Sequence, residues 1–204
     1  MSETWIRRSF DAAGLTQYPT GKGLAAIQAG LSGSVILCLD VSSSMSGSLA
    51  QARKGAQAFI ADARRAGYRV GLIGWNTDVQ SETPLGADLA ALDTHLDRLH
   101  ASGGTDVRPA LRRCWKALRG LSGDRVVAVF GDGDLGPAEP ARLLAGELAA
   151  DGIRIITMGL GDAAARTLDT ISTEKTDTPR TASAATLEAD ITGLTSGLKK
   201  KGSS

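Results

Sequence analysis

The chain has 204 residues, 42% of them hydrophobic and 22% charged, which suits one domain with a substantial core. Its 23 Lys and Arg against 22 Asp and Glu leave a net charge of +1, a balance that excludes a generally basic nucleic-acid or membrane-surface protein. No stretch reaches the roughly 18 apolar residues of a membrane span, and the polar opening MSETWIRRSF lacks an apolar leader core, so a cytoplasmic setting is expected.

Residues 1–33 fit the later pattern poorly. ETWIRRSFDAAGL reads as a helix and TGKGLAAIQAGL as a second helix or an edge strand, together an N-terminal extension packed on the domain. The domain itself spans 34–198. SVILCLD (34–40) is a continuous apolar run, the mark of a strand buried on both faces. In the helix expected over 48–67, Leu49, Ala52, Ala56, Phe59, Ile60 and Ala63 share one side. YRVGLIGW (68–75) is a second strand, and Asn76-Thr77-Asp78 turns into a short edge strand near Val79.

Leu85, Leu89, Leu92, Leu96 and Leu99 predict an amphipathic helix over 85–100. His95 and His100 lie five apart on it, about 140° around the axis, and are expected at the surface. The Gly-rich turn SGGTD (102–106) opens a helix over 107–120, where Arg108, Arg112, Lys116 and Arg119 recur at helical spacing. A third buried strand (124–134) again ends in acid. A helix (136–152), a fourth strand (153–161), a short helix (163–172), a loop (173–181) and a last helix (186–198) follow, before a basic tail over 199–204 expected to be disordered. Cys38 and Cys114 sit in apolar patterns and read as reduced buried thiols. Alternating strands and helices imply an α/β fold, a doubly wound, mostly parallel sheet with helices on both faces and one short antiparallel edge strand.

Ligands in such a sheet bind beyond the carboxyl ends of the strands. Two strands end in acids there, Asp40 and Asp132, and Thr105 stands between them in sequence at a helix entrance. With Ser42 and Ser44 these groups offer oxygen and neither sulfur nor imidazole, the donor set of a hard divalent cation such as Mg²⁺, with Mn²⁺ or Ca²⁺ as alternatives. Asp40-x-Ser42-x-Ser44, then Thr105, then Asp132 resembles the von Willebrand factor A domain and its metal-ion-dependent adhesion site, intracellular bacterial type. That resemblance implies a non-enzymatic, monomeric, Mg²⁺-dependent binding module. Ser42 and Ser44 coordinate the ion directly, Thr105 directly or through water, and Asp40 and Asp132 through water. A partner protein presents an Asp or Glu to the ion. Intracellular relatives work beside MoxR-type AAA+ ATPases or in stress and defence systems. Two positions depart from the family pattern, Gly131 for the usual Thr before the last Asp, and Ser43 for a frequent Gly. Asp106 and Asp134 flank the site and are expected to cap a helix or face solvent, with extra ligands as the alternative.

Other readings compete less well. A serine cluster that merely caps the next helix through Ser46 or Ser48 leaves Thr105 and Asp132 unexplained. A phosphate-ester hydrolase of the haloacid dehalogenase kind needs an acid where Ser42 stands and another where Gly136 stands. No G-x-S-x-G elbow or P-loop occurs, and Asp40-Val41-Ser42 occupies the place after the first strand where a dinucleotide site wants its glycine motif. A metal-independent scaffold that binds through the basic helix 107–120 is the remaining alternative.

Overall fold

The computed structural model describes residues 33–174, 176–183 and 185–199, so the expectations for 1–32 and 200–204 lie outside the described residues. Strand β1 (Ser34–Asp40) leads through a 3-10 turn (Ser43–Gly47) into helix α1 (Leu49–Arg65). Then come β2 (Arg69–Trp75), β3 (Val79–Thr83), α2 (Leu89–Arg98), α3 (Arg108–Leu118), β4 (Arg125–Gly131) and α4 (Ala138–Ala150). The chain continues with β5 (Arg154–Leu160), α5 (Asp162–Asp169), β6 (Thr181–Ala182), α6 (Leu187–Gly193) and a closing 3-10 turn (Leu194–Lys199). Lys199 thus ends a 3-10 turn instead of opening the expected tail. The expected loop over 173–181 runs into β6, whose two residues are too few for an alternating signal.

The sheet order is β3-β2-β1-β4-β5-β6, parallel throughout except for β3, which runs antiparallel to β2 at the edge. β1 pairs with β2 on one side and β4 on the other. Winding therefore reverses between β1 and β4, and the crevice this opens lies at their carboxyl ends.

Alternation along β1 divides the core into two layers. Val35, Leu37 and Leu39 pack under α1, α2 and α6, while Ile36 and Cys38 pack under α3, α4 and α5. All six apolar positions expected on the inner side of α1 are buried. Cys38 of β1 and Cys114 of α3 meet in the second layer with their sulfurs 3.3 Å apart and unbridged. At the opposite end of the sheet from the crevice, Arg154 donates to both Asp124 oxygens (2.9 and 2.6 Å), to Glu174 (2.9 Å) and to the Gly197 carbonyl (3.0 Å), which pins the closing turn.

The helix expected over 85–100 is shorter. Asp88 caps it by accepting the Ala91 N–H at 2.8 Å, so it begins at Leu89. Leu85 packs on the other layer and Leu89 is 43% exposed. His95 is not a surface residue but is buried. Its Nε2 meets Ser81 Oγ at 2.6 Å and its Nδ1 meets Thr83 Oγ1 at 2.7 Å. Both hydroxyls come from β3, across the sheet edge, and they satisfy the ring where helical spacing alone leaves it facing solvent. Burial lowers the His95 pKa below its usual 6.5.

Candidate metal centre

Four loops converge at the carboxyl ends of β1, β2 and β4. The first follows Asp40. Backbone pairing continues one residue past the strand, with Val41 N–H donating to the Trp75 carbonyl at 2.8 Å, and the chain then turns. The turn is closed by Asp40 itself, whose Oδ1 accepts the Ser42 N–H at 2.8 Å. That bond sends Ser42 and Ser44 to the same side, where their hydroxyls share a hydrogen bond of 3.0 Å. Ser43 faces away and donates its hydroxyl to the Gly103 carbonyl at 2.9 Å. Ser48 occupies the N-cap position of α1 without a side-chain cap bond, so capping does not explain the serine cluster.

Asn76, which sequence reasoning treated only as a turn residue, joins the other loops. It is buried, takes the Asp78 N–H on Oδ1 at 3.2 Å, and donates from Nδ2 to the Ser102 carbonyl at 2.7 Å. Its carbonyl accepts the Asp106 N–H at 2.8 Å. Ser102 N–H donates back to the Val41 carbonyl at 2.8 Å, and Val107 N–H donates to the Leu135 carbonyl at 3.2 Å. Thr105 therefore sits in a segment bonded to all three neighbouring loops. Gly103 has φ +75, and a Cβ there would lie 2.8 Å from Asn76 Nδ2, so this turn requires glycine for both conformation and space. An asparagine that ends a buried strand beside a Gly-Gly turn was the available signal for this hub.

Asp40 dominates the electrostatics. It is fully buried, and its Oδ2 has no hydrogen-bond partner. Burial raises its pKa from 3.8 to about 6 against the pull of the Ser42 N–H and hydroxyl, and the Asp132 charge adds to the rise. Asp132, just past β4, is half-buried. Gly131 packs directly on Asp40, since a Cβ there would stand 2.9 Å from Oδ2 and 3.1 Å from the Asp40 Cβ. The departure from the family's threonine thus coincides with a carboxylate lying tight against the β4 backbone.

The structure brings Asp40, Ser42 and Ser44 into one cluster with Asp132 in electrostatic reach of Asp40. Thr105 is half-buried in the adjoining loop, and no hydrogen bond joins its hydroxyl to the other four among the described residues. Asp106 is taken up by Arg108, which donates to both carboxylate oxygens and holds its pKa below the usual value. Asp134 is exposed and accepts the Gly136 N–H at 2.8 Å. Among the described residues no three His, Cys, Asp or Glu gather into a metal-holding group, so an ion at this end would need hydroxyl oxygen as well as carboxylate. The donor set fits a hard cation. Two mutually repelling acids, one with an unpartnered buried oxygen, lie beside a hydroxyl pair that no cap consumes.

The family described as von Willebrand factor type A domain matches residues 35–134. No curated protein sequence matches the chain. Among solved structures, it is similar to the vWF domain of the type V pili tip protein Mfa5 from Porphyromonas gingivalis, with a TM-score of 0.72 and 15% identity over 85% of this chain and 98% of that one. It is also similar to the pilus adhesin SpaC from Lactobacillus rhamnosus GG, with a TM-score of 0.69, 16% identity and 82% coverage, but it spans only 30% of that adhesin. The conserved hypothetical protein BatB from Bacteroides thetaiotaomicron gives a TM-score of 0.52 and 21% identity over 63% of this chain and 66% of that one. At these identities the likeness establishes the fold.

Proposed function

We propose that this chain, which carries a von Willebrand factor type A domain across residues 35–134, is a Mg²⁺-dependent protein-binding module rather than an enzyme. The observation that carries this reading is the Asp40 carboxylate, fully buried, unpartnered at Oδ2 and adjacent to the Ser42–Ser44 hydroxyl pair. Asp40, Ser42, Ser44, Thr105 and Asp132 would hold the ion, which when bound supplies a positive charge open to an acidic side chain of a partner.

This chain's own residues do the rest. Asp40 fixes the turn that presents Ser42 and Ser44, and with Asp132 it balances a double positive charge. Neutral hydroxyls at Ser42, Ser44 and Thr105 leave part of that charge for the partner's carboxylate. Asn76 and Gly103 hold the Thr105 loop in place. The site offers no proton donor of the kind phosphate-ester chemistry needs, since Ser42 occupies that position.

The partner class is a protein that presents an exposed Asp or Glu, with a MoxR-type AAA+ ATPase in the cytoplasm as the case implied by the family resemblance. Co-purification with such an ATPase in Mg²⁺ and in EDTA tests that choice. Calorimetric titration of Mg²⁺ and Mn²⁺ into wild type and Asp40→Ala tests the site. Heat and a raised Tm in wild type alone support it, and silence in both sinks it.

A further inference from the structure

Helix α3 carries five cations on or beside its outer face, and the structure sorts them. Arg108 is bidentate on Asp106, Arg113 grips both oxygens of Glu82 on β3, and Arg119 lies over the Trp115 ring at 5.5 Å. Arg112 and Lys116 are exposed and make no ion pair among the described residues. With Pro109 and the paired Arg113 of the same helix, the two line one groove of about 630 Å³ between α3 and the edge strand β3, with Asp78, Gln80 and Glu82 on the β3 side. One end of this groove is bordered by the turn that the Asn76 hub holds beside the Thr105 loop. Asp78 and Pro109 border it there, and both belong to segments that the Asn76 hub ties to the Thr105 loop.

Spacing narrows the occupant. Four residues of helix separate Arg112 and Lys116, about 6 Å along the axis at 1.5 Å per residue. Alternate side chains of an extended chain stand about 6.6 Å apart on one face. We propose that this groove takes an extended acidic segment of a partner protein, with two carboxylates two residues apart, one on Arg112 and one on Lys116. The inference rests on the metal-site reading for where the segment enters, because the same partner places a further acid at the ion. A nucleic-acid backbone fits less well, because it carries a charge on every nucleotide and brings some against Asp78 and Glu82 on the β3 side, whereas neutral side chains of a segment with two spaced carboxylates can face those acids.

The test is an NMR titration of the isotope-labelled chain with the synthetic peptide Ser-Glu-Thr-Glu-Ser, in Mg²⁺ and again in EDTA. Amide shifts should centre on Arg112, Lys116 and Gln80. Arg112→Glu with Lys116→Glu should weaken binding about tenfold. Arg119→Glu, whose cation already sits on Trp115, should leave it within about twofold. Ser-Lys-Thr-Lys-Ser should produce no shifts, and adjacent glutamates should bind less well than spaced ones. Groove shifts that persist in EDTA keep this proposal standing even where Mg²⁺ gives no heat. Unchanged Mg²⁺ heat in the double variant shows that the metal site is intact when the groove is lost. Equal peptide affinity in wild type and the double variant overturns the groove, as does tighter binding of an oligothymidylate to the same residues.

Discussion

Asp40→Asn should stabilise the metal-free protein near neutral pH and destabilise it relative to wild type once Mg²⁺ is present. The substitution keeps the shape and an oxygen to accept the Ser42 N–H at 2.8 Å, but it removes a buried charge whose Oδ2 finds no partner. The folded state raises the Asp40 pKa from 3.8 to about 6. At about 1.4 kcal/mol per pK unit, that is about 3 kcal/mol against folding once the group is ionised. The folded protein binds this proton more tightly than the unfolded chain, so wild-type stability in EDTA falls as pH rises from about 4 to about 6 and then levels. That net shift already includes the Ser42 bonds to the carboxylate, so Asn should be more stable by about 3 kcal/mol at about pH 7. Near pH 4 the two should converge. Mg²⁺ at a thousand times its Kd adds about 4.1 kcal/mol to wild type alone and reverses the order. Urea unfolding at the two pH values, with EDTA or Mg²⁺, reads all of this. Equal midpoints in EDTA at about pH 7, or a gap that persists at about pH 4, would refute the claim that an ionised, unpartnered Asp40 opposes folding.

Two further variants probe the supports of the site. Gly131→Thr places a Cβ 2.9 Å from Asp40 Oδ2, so it should lower stability by about 1–3 kcal/mol in thermal melts, and an unchanged Tm contradicts the close packing. Asn76→Ala removes the bond to the Ser102 carbonyl. It should cost about 1–3 kcal/mol and weaken Mg²⁺ binding in calorimetry, whereas a wild-type Mg²⁺ affinity would show that the hub does not position the site.

Much of this molecule was legible before its structure. Unbroken apolar runs such as Val35–Leu39 can be buried on both faces only in a covered parallel sheet, and the helical spacing of Leu49, Ala52, Ala56, Phe59 and Ala63 left one packing direction. What escaped depends on partners remote in sequence. His95 is buried because Ser81 and Thr83 arrive from β3 to bond both ring nitrogens. Asn76 matters because it bonds its own turn at Asp78 to both ends of the loop from Ser102 to Asp106. Gly131 reads as a departure in sequence, and only its contact with Asp40 gives it a physical reason. The basic helix likewise reads as uniform until its ion pairs separate Arg112 and Lys116 from the rest.

The most direct test of the account is the location of Mn²⁺ by its anomalous scattering in crystals grown with the ion. The account predicts one strong peak at the carboxyl ends of β1 and β4, within bonding distance of the Ser42 and Ser44 hydroxyls and absent in Asp40→Ala. No peak at a saturating Mn²⁺ concentration, or a peak bound elsewhere with this cluster empty, would contradict it.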